Sequence, residues 1–99
     1  MVAFKLVRRL SDGSLSPLFI NKKMRLPIGE WMKAELNPTK GYKARKGWHC
    51  TFEPNAPHLS TKGRVWVMVE VRDFEINERP ISQGGKWIIA QEMRILNLI

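Results

Sequence analysis

The sequence predicts a small α+β domain, predominantly antiparallel β: a single-domain sheet over residues 1–99 with one short helix. Three observations support this. In residues 64–72, Val65, Val67, Val69 and Val71 alternate with Trp66, Met68 and Glu70, the two-residue period of a strand with one face on a core. Turn-forming stretches, Ser11-Asp-Gly-Ser14 the clearest, separate short apolar runs. Residues 40–52, read as extended chain, sort into two faces. Tyr42, Ala44, Trp48, Cys50 and Phe52 share one; Lys43, Arg45, His49 and Thr51 share the other.

The first strand is expected over residues 3–10, ending in Arg8 and Arg9. Gly13 supplies the positive φ that closes a hairpin into a second strand over 15–20, where Pro17 argues for an edge or a bulge. A turn at Asn21-Lys22-Lys23 leads to the short segment Met24-Arg-Leu26. Residues 28–36 favour a helical turn or two on propensity, because alternation separates their faces poorly. Asn37-Pro38 ends that element, since the residue before proline is pushed out of the helical region. A loop at 39–41 then delivers the basic-aromatic stretch, with a bend or bulge at Lys46-Gly47. Two prolines make 53–60 a loop with one short turn at 56–59. After the valine strand, polar residues 73–85 read as a connection with a Gly84-Gly85 turn. Residues 86–99 form the last element, a strand on its bulky β-branched start.

Ninety-nine residues support one core. Apolar residues at 43% and charged residues at 26% are ordinary globular values, so disorder is not the default reading. One cysteine excludes an internal disulfide. The longest apolar run, residues 65–69, falls far short of the ~20 a membrane helix needs, and the N-terminus has no secretory pattern. The expected location is therefore cytoplasmic, with no membrane partner. The net charge of +8 is lopsided: residues 1–50 hold eleven Lys/Arg against three Asp/Glu, and residues 51–99 hold six of each. Clustered in space, the surplus would attract nucleic acid or an acidic protein surface.

Catalytic chemistry has little to draw on. Cys50 follows His49, but neighbours on a strand point to opposite faces, so Cys50 reads as a small core residue. His49, Cys50, Glu53 and His58 are the local supply for zinc, without a second cysteine, so no metal is expected. His58 reads as an anchor for its own loop. Walker, dinucleotide and nucleophile-elbow motifs are lacking, no cofactor is implied, and the acidic residues show no spacing that singles out a pair. The interleaved cations and aromatics remain, because Lys and Arg neutralise phosphates and exposed rings stack on unpaired bases. The candidate partner-binding residues are Lys40, Tyr42, Lys43, Arg45, Lys46 and His49, with Arg8, Arg9, Lys22 and Lys23. Tyr42 is balanced between core and surface, while Trp48 is assigned to the core.

Arg45-Lys-Gly-Trp-His-Cys50, Ala56-Pro-His-Leu-Ser60, Gly63-Arg-Val-Trp66 and Ser82-Gln-Gly-Gly85 resemble segments of small phage or prophage proteins. The likeness extends to Asp12-Gly-Ser and Pro17-Leu-Phe-Ile20, and so over nearly the whole chain. It implies a non-enzymatic accessory protein acting in a bacterial host, one that blocks a host or defence process. A second resemblance, to minimal ADP-ribosyltransferase-like domains, rests on Leu6-x-Arg8, Gly47-x-His49 and the valine strand. It implies that His49 holds NAD and that Glu92 is a late acid, although a proline loop stands where such folds place a helix. A virion or assembly component is a third expectation.

Overall fold

The computed structural model of the chain describes residues 1–18, 24–34, 36–37, 45–56 and 58–99. Its strands are β1 (Val2–Arg9), β2 (Leu15–Ser16), β3 (Met32–Lys33), β4 (Leu36–Asn37), β5 (Arg45–Lys46), β6 (Trp48–Thr51), β7 (Arg64–Glu78) and β8 (Lys86–Leu98). All strand-to-strand pairings among them are antiparallel. β7 pairs with β1 on one edge and β8 on the other, while β6 pairs with both β8 and β1. The four therefore close a circuit, with β2 on the flank of β1 and β3 on that of β8. β4 and β5 pair separately.

The closing joint is narrow. β1 meets β6 at one pair, Phe4 with Thr51. Two side-chain donors reinforce it: Lys5 Nζ to His49 O at 2.8 Å and Thr51 Oγ1 to Phe4 O at 3.3 Å.

Inside lie Ala3 and Val7 of β1, Val67, Val69 and Val71 of β7, Trp48 and Cys50 of β6, and Ile88, Ala90, Met93 and Ile95 of β8. The buried positions of β8 step from Ala90 to Met93, an odd interval that breaks strict alternation. On β7 the phase changes at Asp73, whose φ of 53° is left-handed. Asp tolerates that region better than most residues because its short side chain bonds locally. Beyond it, Phe74 and Ile76 stand opposite Ala90 and Ile88, on the inner side. A second irregularity lies between Met68 and Val69, whose partners Asn97 and Ile95 leave Leu96 as the extra residue.

Several expectations are met. The 11–14 turn closes with Gly13 at φ 87°, residues 86–98 are strand, and Leu59 N–H bonds Ala56 O in the 53–60 loop. Cys50 and Trp48 are buried, and Gly84 and Gly85 complete the turn after a short 3-10 helix, Ile81–Gln83.

Other expectations are corrected. Residues 28–34 are not helical, because β8 takes their backbone donors: Gly29 N–H bonds Ile95 O and Ala34 N–H bonds Gln91 O, both at 2.7 Å. Trp31 is held from above by the guanidiniums of Arg72 and Arg94, 3.9 and 5.0 Å from its ring centroid. These cations are fixed in turn by cross-strand ion pairs, Arg72 with Glu92 and Arg94 with Glu70. Tertiary contacts thus override local helix propensity, and among the described residues the 3-10 turn is the one helical element, so the expected α+β domain with a short helix is an almost wholly antiparallel sheet. The 73–85 connection is also corrected: β7 continues to Glu78, so the turn begins only at Arg79. The second strand stops at Ser16 before Pro17, and Leu18 is buried without being strand; Phe19 and Ile20 lie outside the described residues.

The expected bend at Lys46-Gly47 is present, between two short strands. Gly47 at φ 133° separates β5 from β6, and a Cβ there would come within 2.3 Å of Ile89 Cγ2. Phe52, expected on the core face, is exposed because β6 ends at Thr51, which is itself buried.

Candidate functional site

Arg8 and Arg9 end β1 beside the 10–14 turn. Arg8 stands opposite Ser16 on one edge and Arg64 on the other, so Arg8 and Arg64 project from the same face. Arg9 is exposed, and its N–H bonds Gly63 O at 3.1 Å, which draws the 61–63 turn and the exposed Lys62 to this end. Both half-buried arginines are aimed by carbonyls, Arg8 Nη2 donating to Leu18 O at 3.3 Å and Arg64 Nη1 to Ser60 O at 3.0 Å. A guanidinium has five N–H donors, so this one bond leaves Arg8 able to donate elsewhere. Asp12, also at this end, is engaged by Ser14, whose N–H and hydroxyl donate to Oδ1 at 2.9 and 2.6 Å. Those bonds lower its pKa, with a smaller contribution from the charge of Arg25.

His49 belongs to a second cluster, around Trp87. Arg79 Nη2 lies 3.3 Å from His49 Nδ1 and its guanidinium 5.2 Å from the Trp87 ring centroid. His49 and His58 meet that ring edge-on at 6.5 and 5.8 Å. Since a guanidinium only donates, His49 Nδ1 accepts and the ring proton sits on Nε2. Trp87 Nε1 in turn donates to Gln83 O at 2.5 Å. The cluster braces β6, the 53–60 loop and the β7–β8 turn against one another. Glu92, the acid implied by the transferase resemblance, is paired with Arg72 beside Trp31 rather than placed with His49.

A third group lies on the inner side of the closing joint. Part of the Lys5 side chain touches solvent, yet its ammonium is enclosed between His49 O and the Trp48 ring, 6.0 Å from the centroid. Burial lowers its pKa, and the neighbouring Cys50 works in the opposite sense. Burial raises the Cys50 thiol to about 11, partly offset by Lys5. A protonated, enclosed thiol is a poor nucleophile, and Lys5 holds the joint together. Among the described residues, no three His, Cys, Asp or Glu side chains gather as a metal-binding group, and no helix is long and apolar enough to cross a membrane.

The structure thus divides the residues singled out by sequence. Arg8 and Arg9 sit at the basic end, and His49 in the Trp87 cluster. Arg45 and Lys46 form β5, while Lys22, Lys23, Lys40, Tyr42 and Lys43 lie outside the described residues. Sequence reasoning missed Lys62 and Arg64 as companions of Arg8 and Arg9, and Arg79 as the companion of His49. A register of β1 against β7 would have found the first group, but alternation alone supplies no register. Compared with protein-family models, with curated proteins and with solved structures, the chain gives no match.

Proposed function

We propose that the chain is a non-enzymatic binding protein whose basic end, built from Arg8, Arg9, Lys62 and Arg64, takes up the phosphates of nucleic acid. The observation that carries this reading is the register that sets Arg8 against Arg64. Like charges directly opposite on a sheet repel, and a bound anion between them turns that repulsion into two charge-assisted contacts. An accessory role in a bacterial host's cytoplasm, as the phage-type resemblance implies, is consistent with such a site.

Fluorescence anisotropy with a short single-stranded oligonucleotide tests the reading. With about four phosphates neutralised, log affinity should fall with log salt with a slope of roughly −3. Arg8→Ala/Arg9→Ala/Lys62→Ala should weaken binding at least ~tenfold and flatten the slope, whereas Lys43→Ala/Arg45→Ala/Lys46→Ala reports on the other basic stretch. Affinity unchanged in the first variant ends the proposal. Capture of a protein from host lysate that survives nuclease would assign the basic end to an acidic protein surface instead.

A further inference from the structure

Past Val71, β7 loses its neighbour on one side. Val71 N–H donates to Met1 O at 2.8 Å and Val71 O accepts from the Met1 ammonium at 3.1 Å. Beyond that point no described strand pairs with this edge, while β8 continues along the other as far as Glu78. Arg79 N–H is directed across the turn to Gly85 O. With the two-residue period of a strand, Asn77 and Glu75 also address β8. Phe74, Ile76 and Glu78 therefore turn their N–H and C=O groups to the open edge. The left-handed Asp73 makes this possible, since the odd-numbered Val71 faces β1 whereas the odd-numbered Arg79 faces β8.

The side chains along this edge are also uncovered. Phe74 is 39% and Ile76 51% exposed, and Ile81 in the following turn is 90% exposed. Between the apolar positions stand Asp73 and Glu75, both exposed and in no ion pair among the described residues. Carboxylates left uncompensated on a chain of net charge +8 form a local field opposite in sign to the whole. A second copy is a poor occupant: antiparallel self-pairing about Phe74 sets Asp73 against Glu75, pairing about Glu75 sets that residue against itself, and pairing about Ile76 or Asn77 sets an apolar side chain, Phe74 or Ile76, against the Glu78 carboxylate.

We infer that the β7 edge from Asp73 to Glu78 is a docking site for an extended peptide segment in which Lys or Arg alternates with apolar residues. The segment adds as an antiparallel strand. Its backbone satisfies the outward groups of Phe74, Ile76 and Glu78, its apolar residues cover Phe74 and Ile76, and its cations face Asp73 and Glu75. This site is separate from the basic end and prefers the opposite charge.

The test is amide hydrogen exchange by NMR on the whole chain, with a blocked octapeptide alternating Val with Lys and Arg as the probe. Free protein should show fast exchange at Phe74, Ile76 and Glu78 and slower exchange at Glu75, Asn77 and Arg79. Saturating probe should slow the first three by at least ~tenfold. A control peptide with Glu in place of Lys and Arg should have no effect. Glu75→Lys should weaken the probe about tenfold or more, and Ile76→Pro, which removes an outward N–H, should abolish protection. Should Ile76→Pro fail to fold, Glu75→Lys alone decides. Unchanged exchange at saturation, equal protection by the control peptide, or concentration-dependent dimers that protect the edge without probe would each overturn the inference.

Discussion

From Val67 to Glu70, β7 is paired with both β1 and β8, and Val71 still bonds Met1; from Arg72 to Glu78 it has β8 alone among the described residues. The two halves are similar in kind, each alternating apolar with polar or bulky residues, but their fates differ. Val67, Val69 and Val71 are fully buried, whereas Phe74 and Ile76 are substantially exposed despite standing opposite the buried Ala90 and Ile88. Pattern sets which face is apolar, while burial depends on whether a second strand and its side chains come over that face. One half of β7 is therefore scaffold, and the other is surface with apolar side chains and open backbone groups.

The sharpest way to break this comparison is to make the same deletion in both regions. Ile95 is fully buried opposite Val69, in the doubly paired half. Ile95→Ala should cost about 2–5 kcal/mol of stability through lost transfer energy and a cavity. Ile76→Ala, in the singly paired half, should cost less than ~1 kcal/mol because the side chain already meets water. Equal costs in urea unfolding would show that Ile76 is covered and the two halves are alike.

The next effect concerns titration on the inner side of the joint between β1 and β6. Cys50 keeps its proton to about pH 11 when folded, against an ordinary value of 9.0. Between those values the folded chain binds more protons than the unfolded one, so this group's contribution falls as pH rises, by on the order of 2 kcal/mol. Lys5 acts with the opposite sign. Its pKa is lowered from 10.5, so as pH rises toward that value the unfolded chain holds the extra proton and stability increases. Thermal melts from pH 8 to 11 should thus show Cys50→Ala losing less stability than wild type, and Lys5→Met losing more. Parallel curves for all three proteins would mean that neither group is enclosed.

A smaller effect marks the boundary between the halves. At its left-handed φ, Asp73→Val should cost about 1–2 kcal/mol. Asp73→Gly should be neutral or slightly stabilising at the same position. If valine is tolerated there, the phase change on β7 has another origin.

Much of the sheet was legible from residue order. The valine row predicted the best-formed half of β7, and Gly13 and Gly84-Gly85 marked two of the turns. Local signals failed where distant partners decide. Residues 28–34 carry helix-favouring side chains, yet β8 accepts their N–H groups and two arginines from elsewhere in the chain clamp Trp31. Polar residues 73–78 look like a loop because the usual apolar alternation is diluted by Asp73, Glu75, Asn77 and Glu78, although the ladder with β8 continues. The candidate site was legible only in part. Arg8 and Arg9 are conspicuous in sequence, but Arg64 becomes their neighbour only through the β1–β7 register. His49 was conspicuous too, while Arg79, thirty residues on, could not be paired with it from spacing.

The bridge between Phe4 and Thr51 has a consequence out of proportion to its size. Without it, every other pairing can persist and the same strands become an open ribbon, β6 next to β8, β8 next to β7, β7 next to β1. Whether this chain encloses an interior at all, rather than merely covering one side of a sheet, is settled at a single residue pair and the two side-chain donors beside it.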